Sequence, residues 1–221
     1  MKKKIIPIVK NILNANDQIA EENKANFDAK NILAINVMAS PGSGKTSFIL
    51  KTIEHIAGEF NIAVIEGDTA PVTIDADKIS EMNIPVIQIN TGGACHLDAL
   101  MVRNGLSRLN LTNADLVIIE NVGNLVCPAA FQLGEHFSIV IASIPEGDDK
   151  PYKYPNIYRG IQSLILNKTD LLPYVDFDLD YFKKGIDALN PQVAFFPLSC
   201  KTGDGFENWI YWLKERLRER K

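Results

Sequence analysis

The sequence predicts an α/β fold, a mostly parallel sheet with helices on both faces, extended at its N-terminus by a helical segment. Three observations predict it. From residue 31 onward, short apolar runs alternate with longer amphipathic stretches, the pattern of repeated strand and helix units. Runs such as Leu116-Val117-Ile118-Ile119 are apolar without alternation, which suits strands covered on both sides. A glycine-rich string at 39–46 stands between one such run and an amphipathic stretch, so the first strand passes into a helix through a turn able to hold an anion.

The elements follow in order. Residues 1–30 form a helical extension and 31–221 one domain, a length that fits a single core. In the extension, Ile5, Ile8, Ile12, Leu13 and Ile19 fall near helical spacing, which predicts a packing or docking helix over 5–30. Strands are expected at 32–38, 62–66, 84–89, 115–120, 137–143, 162–166 and 193–197. Helices are expected at 45–58, 75–82, 97–109, 178–189 and 204–219. The stretch 144–156, rich in Pro, Gly and Asp, reads as an exposed loop. Trp209 and Trp212 read as packing residues of the last helix.

Composition excludes several classes. Hydrophobic residues make up 46% of the 221, enough for a core without disulfides. Net charge is −4 and the isoelectric point about 5.4, so nucleic acid is not an expected partner. Apolar runs are shorter than the roughly 18 residues of a membrane span. The basic start is followed by an apolar stretch that Asn11, Asn14, Asn16 and Asp17 interrupt too soon for a signal peptide. Three cysteines, Cys95, Cys127 and Cys200, make no disulfide framework and fit a reducing cytoplasm.

Residues 39–46 read Ala-Ser-Pro-Gly-Ser-Gly-Lys-Thr, a phosphate-binding loop with Ala39 in its first place. This marks a P-loop nucleotide-binding domain. Pro41, Gly42, Ser43 and Gly44 are expected to wrap backbone amides around phosphates, and Ser47 to continue the cradle at the helix start. Lys45 is expected to reach the β- and γ-phosphates, and the Thr46 hydroxyl to ligate Mg²⁺. Glu120 closes the strand 115–120 and opens Glu-Asn-Val-Gly. It is expected to hold Mg²⁺ directly or through water, with the Gly123 amide sensing the γ-phosphate. Of Asp68 and Asp75, one is expected to orient the attacking water or assist Mg²⁺ and the other to cap the helix at 75–82. Lys45, Asp68, Asp75 and Glu120 are thus the candidate catalytic residues.

Asn167-Lys168-Thr169-Asp170 follows the strand 162–166. The Asp170 carboxylate can accept from guanine N1–H and its exocyclic amine, a pair adenine does not offer. Asn167 is expected to tie this loop to the phosphate loop, and the Lys168 stem to lie on the base. Ser199, Cys200 and Lys201 follow the last strand and are expected to close over guanine O6. GTP and GDP are therefore the expected ligands, and Cys200 a loop residue.

Cys95 and His96 are adjacent, and Cys127 stands seven residues after Glu120. Thiolate and imidazole donors suit Zn²⁺ or Ni²⁺. A lone cysteine is otherwise a small buried hydrophobe and a lone histidine a structural residue, so spacing alone leaves both readings open. Three ligands make an incomplete set, which a two-fold dimer would complete. Loops after such a carboxylate rearrange with the γ-phosphate, so metal affinity is expected to follow nucleotide state.

The strings Ser40-Pro41-Gly42-Ser43-Gly44-Lys45-Thr46, Val64-Ile65-Glu66-Gly67-Asp68 and Cys95-His96-Leu97-Asp98-Ala99 resemble the HypB family of hydrogenase maturation GTPases. So do Glu120-Asn121-Val122-Gly123-Asn124-Leu125-Val126-Cys127-Pro128, Leu133-Gly134-Glu135, Glu146-Gly147-Asp148-Asp149-Lys150-Pro151 and Thr202-Gly203-Asp204-Gly205. The resemblance implies a dimerising SIMIBI-class GTPase with slow turnover. It implies Ni²⁺ or Zn²⁺ held at the dimer interface by Cys95, His96 and Cys127. It further implies nickel insertion into a nickel–iron hydrogenase, with a HypA-type metallochaperone and the hydrogenase large-subunit precursor as partners. The N-terminal cysteine motif and histidine tract of some members do not occur: no cysteine precedes Cys95 and the first histidine is His55. The alternatives are a urease-type nickel accessory GTPase, a nucleotide-gated scaffold with negligible turnover, and a regulatory GTPase whose Cys and His are structural.

Overall fold

The computed structural model describes residues 8–69 and 73–220. The start of the expected N-terminal helix and the stretch Ala70–Val72 lie outside them. The strands are β1 (Leu33–Ala39), β2 (Ile62–Asp68), β3 (Val86–Asn90), β4 (Leu116–Glu120), β5 (Phe137–Ser143), β6 (Ser163–Asn167) and β7 (Ala194–Pro197). They form one sheet in the order β3-β2-β4-β1-β5-β6-β7, and every pairing is parallel. The helices are α1 (Ile8–Ala29), α2 (Lys45–Ile56), α3 (Ile74–Glu81), α4 (Ala99–Leu106), α5 (Lys150–Lys153), α6 (Pro155–Arg159), α7 (Leu179–Leu189) and α8 (Phe206–Arg218).

Strand alternation distributes the core. In β1, Leu33, Ile35, Val37 and Ala39 pack with α2 and α8 on one face. Ala34 and Met38 point to the other, where α1 and α4 cover one half and α6 and α7 the second. Period-two side chains on a sheet covered on both sides require apolar residues at both parities, which is why these runs do not alternate. Trp209 packs as expected, fully buried with its indole N–H donating to Thr52 Oγ1 at 3.0 Å.

Two expectations need correction. In the expected stripe of α1, Ile12 is 54% exposed and Leu13 and Ile19 are only half-buried, while the side chains of Ile5 and Ile8 lie outside the described residues. The buried positions are Asn16, Ala20, Asn23 and Phe27, spaced for one helix face. Asn23 Nδ2 donates to the carbonyls of Ala99 and Leu133, both at 2.9 Å. Asn16 donates to Gln132 O at 2.8 Å and accepts from Ala99 N at 2.9 Å. Two asparagines therefore satisfy loop and helix-end backbone groups that an apolar stripe would leave unpaired. The stretch 144–156 is not an exposed loop either. It folds into a 3-10 turn at Ile144–Glu146 followed by α5 and the start of α6, with Ile144 and Pro151 buried.

Candidate functional site

The carboxyl ends of β1, β2 and β4 open on a cleft of about 480 Å³, where a parallel sheet of this kind receives its ligand. The phosphate loop forms one wall. Gly42 and Gly44 have φ of +78° and +101°, backbone conformations open to glycine without steric penalty. The Ser43 hydroxyl donates to Ser40 O at 2.9 Å. Pro41, Lys45, Thr46 and Ser47 line the cleft with the two glycines, and α2 begins at Lys45, so its free N–H groups face the same space. Ala39 is the last residue of β1 and has no exposed surface, which accounts for a small apolar residue at the first motif position.

The opposite wall is acidic. The Thr46 hydroxyl lies 2.9 Å from Asp75 Oδ2 and 3.1 Å from Glu120 Oε1. Asp75 sits in the first turn of α3 and pairs with Lys78 at 2.9 Å. Thr73, at the cap position, makes no side-chain cap bond. Asp68 ends β2. The expectation that one of the two aspartates caps α3 is therefore corrected, because Thr73 holds the cap position and Asp75 lies within the first turn, while both aspartates line the cleft. Gly123 approaches the phosphate loop closely enough that an added Cβ would stand 3.2 Å from Pro41.

Glu66 and Glu120 are direct neighbours in the β2–β4 register. Both are buried, and the Oε2 of each has no hydrogen-bond partner. Burial pushes the Glu66 carboxyl up to about 8, with further repulsion from Glu120, Asp68 and Asp75. Burial pushes Glu120 up to about 7, while Lys45 and Thr46 pull it down. The unpaired Oε2 of buried Glu120, on a carboxyl group beside the Thr46 hydroxyl, fits a hard divalent cation such as Mg²⁺.

A pH effect follows. Both carboxyls hold protons more tightly folded than unfolded, where they titrate near 4.5. Stability of the cation-free chain is then full below that value and falls as pH rises through about 7 and 8. Thermal melts between pH 5 and 8 without Mg²⁺ are expected to drop by several degrees, about 2–4 °C per kcal/mol lost. Glu66→Gln is expected to flatten the slope. A flat parent profile sinks the assignment.

The loops 167–170 and 199–201 meet at the ends of β6 and β7. Asn167 Nδ2 donates to Ser43 O at 2.9 Å, and its Oδ1 accepts from the amides of Lys168 and Cys200 at 2.7 and 3.1 Å. Lys168, at φ +63°, extends Nζ to Gly42 O at 2.7 Å. Ser199 Oγ donates to Asp170 Oδ1 at 2.7 Å and accepts from the Lys201 amide at 3.2 Å. Burial pushes the Cys200 thiol up to about 11, so Cys200 is held by its backbone and carries no thiolate.

The metal candidates also converge. One donor atom from each of Cys95, His96 and Cys127 lies within 4.8 Å of the others. Cys95 and Cys127 are free thiols whose sulfurs approach to 2.8 Å, and His96 Nδ1 is 3.7 Å from Cys95 Sγ. Burial lowers the His96 pKa, keeping the imidazole neutral, and its ring lies 3.9 Å from that of Phe131. Asp98 caps α4 by accepting from Met101 N at 2.7 Å, which fixes the chain just beyond His96. A soft, three-donor set on two loops fits a nickel or zinc ion. His136 is separate: it accepts from Ala34 N at 2.9 Å and faces Asp28 at 3.0 Å.

The model for the nucleotide-binding domain of CobW, HypB and UreG matches residues 33–197. The hydrogenase maturation factor HypB of Azotobacter vinelandii is 44% identical over 98% of this chain and 73% of its own. The chain belongs to the HypB family of hydrogenase maturation factors. A HypB crystal structure from Archaeoglobus fulgidus superposes with a TM-score of 0.86 at 37% identity, covering 92% of this chain and 99% of that one. The HypB structure from Helicobacter pylori in complex with nickel gives 0.87 at 35% identity, over 93% and 96%. This HypB-family chain thus carries a nucleotide-binding P-loop domain. Among the described residues, no helix is long and apolar enough to cross a membrane.

Six cleft residues carry no role in the sequence reading: Glu66, Gly67, Thr69, Lys78, Asn121 and Val122. Glu66 had a signal, a lone carboxylate at the end of the apolar run Ile62-Ala63-Val64-Ile65. Asn121 had none, since its partners Asn36 and Leu97 come from other elements.

Proposed function

We propose that this chain is a GTP-hydrolysing metallochaperone that assists nickel insertion into a hydrogenase, its grip on nickel set by the nucleotide in the cleft. One observation carries the reading: Cys127 stands 2.8 Å from Cys95, on the segment that leaves the cleft wall at Glu120. The metal site therefore spans two loops, and one of them begins at the nucleotide. A change in the Glu120–Cys127 segment changes the distance between donors, and with it affinity for the cargo.

The chain's own groups divide the work. Asp170 selects guanine, and Asn167 holds base loop and phosphate loop together. Lys45 and the α2 N-terminus counter phosphate charge. Mg²⁺ bound by Thr46, Glu120 and Asp75 would neutralise charge between phosphates. Glu66, buried opposite Glu120 in the strand register, lines the cleft beside them. The arginine finger and water-orienting glutamine of faster enzymes have no evident counterpart among the named cleft residues, so turnover is expected far below about 10 per second. A second copy of the chain supplies the remaining nickel ligands across a two-fold axis. The donor is a HypA-type metallochaperone and the acceptor the hydrogenase large-subunit precursor, in a cytoplasm that keeps the thiols reduced. A Helicobacter pylori relative, 37% identical over 99% of this chain and 91% of its own, is named a hydrogenase/urease maturation factor, which favours urease as a second acceptor.

The test has two parts. Single-turnover assays with Mg²⁺ are expected to show cleavage of GTP and not ATP, with Asp170→Ala weakening GTP by about a hundredfold or more. Equilibrium dialysis is expected to give nickel affinities at least about fivefold apart between GDP and a non-hydrolysable GTP analogue. Equal affinities remove the gating. Absent cleavage, even with metal and partner, leaves a scaffold.

A further inference from the structure

We infer that Asn121 is the positioning residue that carries the nucleotide state of the cleft to the Cys95–His96 loop, with Asn36 as its anchor. The inference rests on the gated metallochaperone reading and names the part that does the gating.

Asn121 follows Glu120 directly and has no exposed surface. Its Oδ1 accepts from Leu97 N at 3.1 Å and from Val122 N at 2.9 Å. Its Nδ2 donates to Asn36 Oδ1 at 3.3 Å. Asn36, on β1 and 1% exposed, donates in turn to Glu135 Oε1 at 3.2 Å. Glu135 is fixed by Leu133 N at 2.8 Å and Ser138 Oγ at 2.7 Å. The far end of this chain of bonds is anchored in the sheet and the 133–138 segment, and the near end holds the residue after His96.

Leu97 is gripped a second time. Its side chain is fully buried against Gly67, where an added Cβ would lie 2.7 Å from the Leu97 side chain. Gly67 stands between Glu66 and Asp68 of the cleft. Leu97 is thus held by its amide and by its side chain, each time through a residue adjacent to a cleft carboxylate. A buried carboxamide with its bonds made cannot shift alone without stranding polar groups. Movement of the 120–123 segment therefore either takes Leu97, and with it His96, or breaks the bond that orients them. A residue serving only to cap a loop needs no such continuation to Asn36 and Glu135.

The coupling ratio, nickel Kd with Mg²⁺–GTP analogue against nickel Kd with Mg²⁺–GDP, is the readout. A merely structural role would lower both affinities together and leave the ratio. In the parent the ratio departs from one by at least about fivefold. Asn121→Ala is expected to bring it within about twofold of one. Asn36→Ala, which lines neither cleft nor metal loop and reaches both only through Asn121, is expected to reduce the ratio while GDP affinity stays at the parent's. A measurement without substitution accompanies them: hydrogen exchange of the Leu97 amide in the parent, expected to differ about tenfold or more between the two nucleotide states, as opening free energies of 1.4 kcal/mol would give. Unchanged ratios in both variants, or identical Leu97 exchange in both states, overturn the role of Asn121 while gating stands. A parent ratio of one overturns gating itself, and the inference with it.

Discussion

Gly44→Ala is expected to bind guanine nucleotides at least about a hundredfold more weakly than the parent, a loss of roughly 2.7 kcal/mol. The residue has φ of +101°, which an L side chain rarely adopts. The added Cβ would also lie 2.5 Å from Asn167 Nδ2. That nitrogen is committed to Ser43 O, and the same side chain holds the amides of Lys168 and Cys200. One methyl group therefore displaces the strut between phosphate loop and base loop and disturbs both ends of the ligand at once. Gly42→Ala separates strain from collision. Gly42 also has positive φ, +78°, but nothing lies within 4 Å of its added Cβ. Its expected cost is the backbone strain alone, about tenfold at 1–2 kcal/mol. Titration with a fluorescent GDP analogue decides the matter. Equal losses in the two variants would refute the argument from Asn167. Nickel affinity without nucleotide is expected to survive both.

The second large effect is at the other end of the Glu120–Cys127 segment. Cys127→Ala is expected to lower nickel affinity by about a hundredfold or more, beyond the 10- to 100-fold usual for a residue that only supports a ligand. The substitution removes one of three donors clustered within 4.8 Å. The remaining two are adjacent in sequence on one loop, so the metal no longer joins two loops and its affinity also ceases to follow nucleotide. Two comparisons make the test specific. Cys200→Ala is expected to leave nickel binding unchanged, because that thiol is held protonated in the base loop. His136→Ala is expected to do the same, because its ring nitrogens already serve Ala34 and Asp28. Equilibrium dialysis of the nucleotide-free chain reads all three. Nickel affinity retained in Cys127→Ala would leave the cysteines a structural role.

Much of the architecture was legible in the residues. All seven strands fall where the apolar runs stand, since a strand buried on both faces writes its own composition. The phosphate loop and the Asn-Lys-Thr-Asp string are contiguous segments whose backbone must adopt one shape to work, so residue types expose them. The proximity of Cys95 and His96 to Cys127 was a candidate pattern that the resemblance strengthened. The helical stretch 144–156 was illegible because prolines at helix starts look like turn residues until the turns are seen.

Sequence alone determined what depends on neighbours along the chain: the strand positions, the longer helices, the glycine cradle and the Asn-Lys-Thr-Asp loop. Tertiary structure decided which buried face α1 presents, that Glu66 stands opposite Glu120, and that Asn121 reaches Leu97. Those pairings depend on strand order and register. Chain segments 54 and 24 residues apart are brought within hydrogen-bonding or ladder distance only when β4 inserts between β1 and β2. A local pattern is fixed by backbone periodicity, whereas a contact across strands is fixed by how the whole sheet packs.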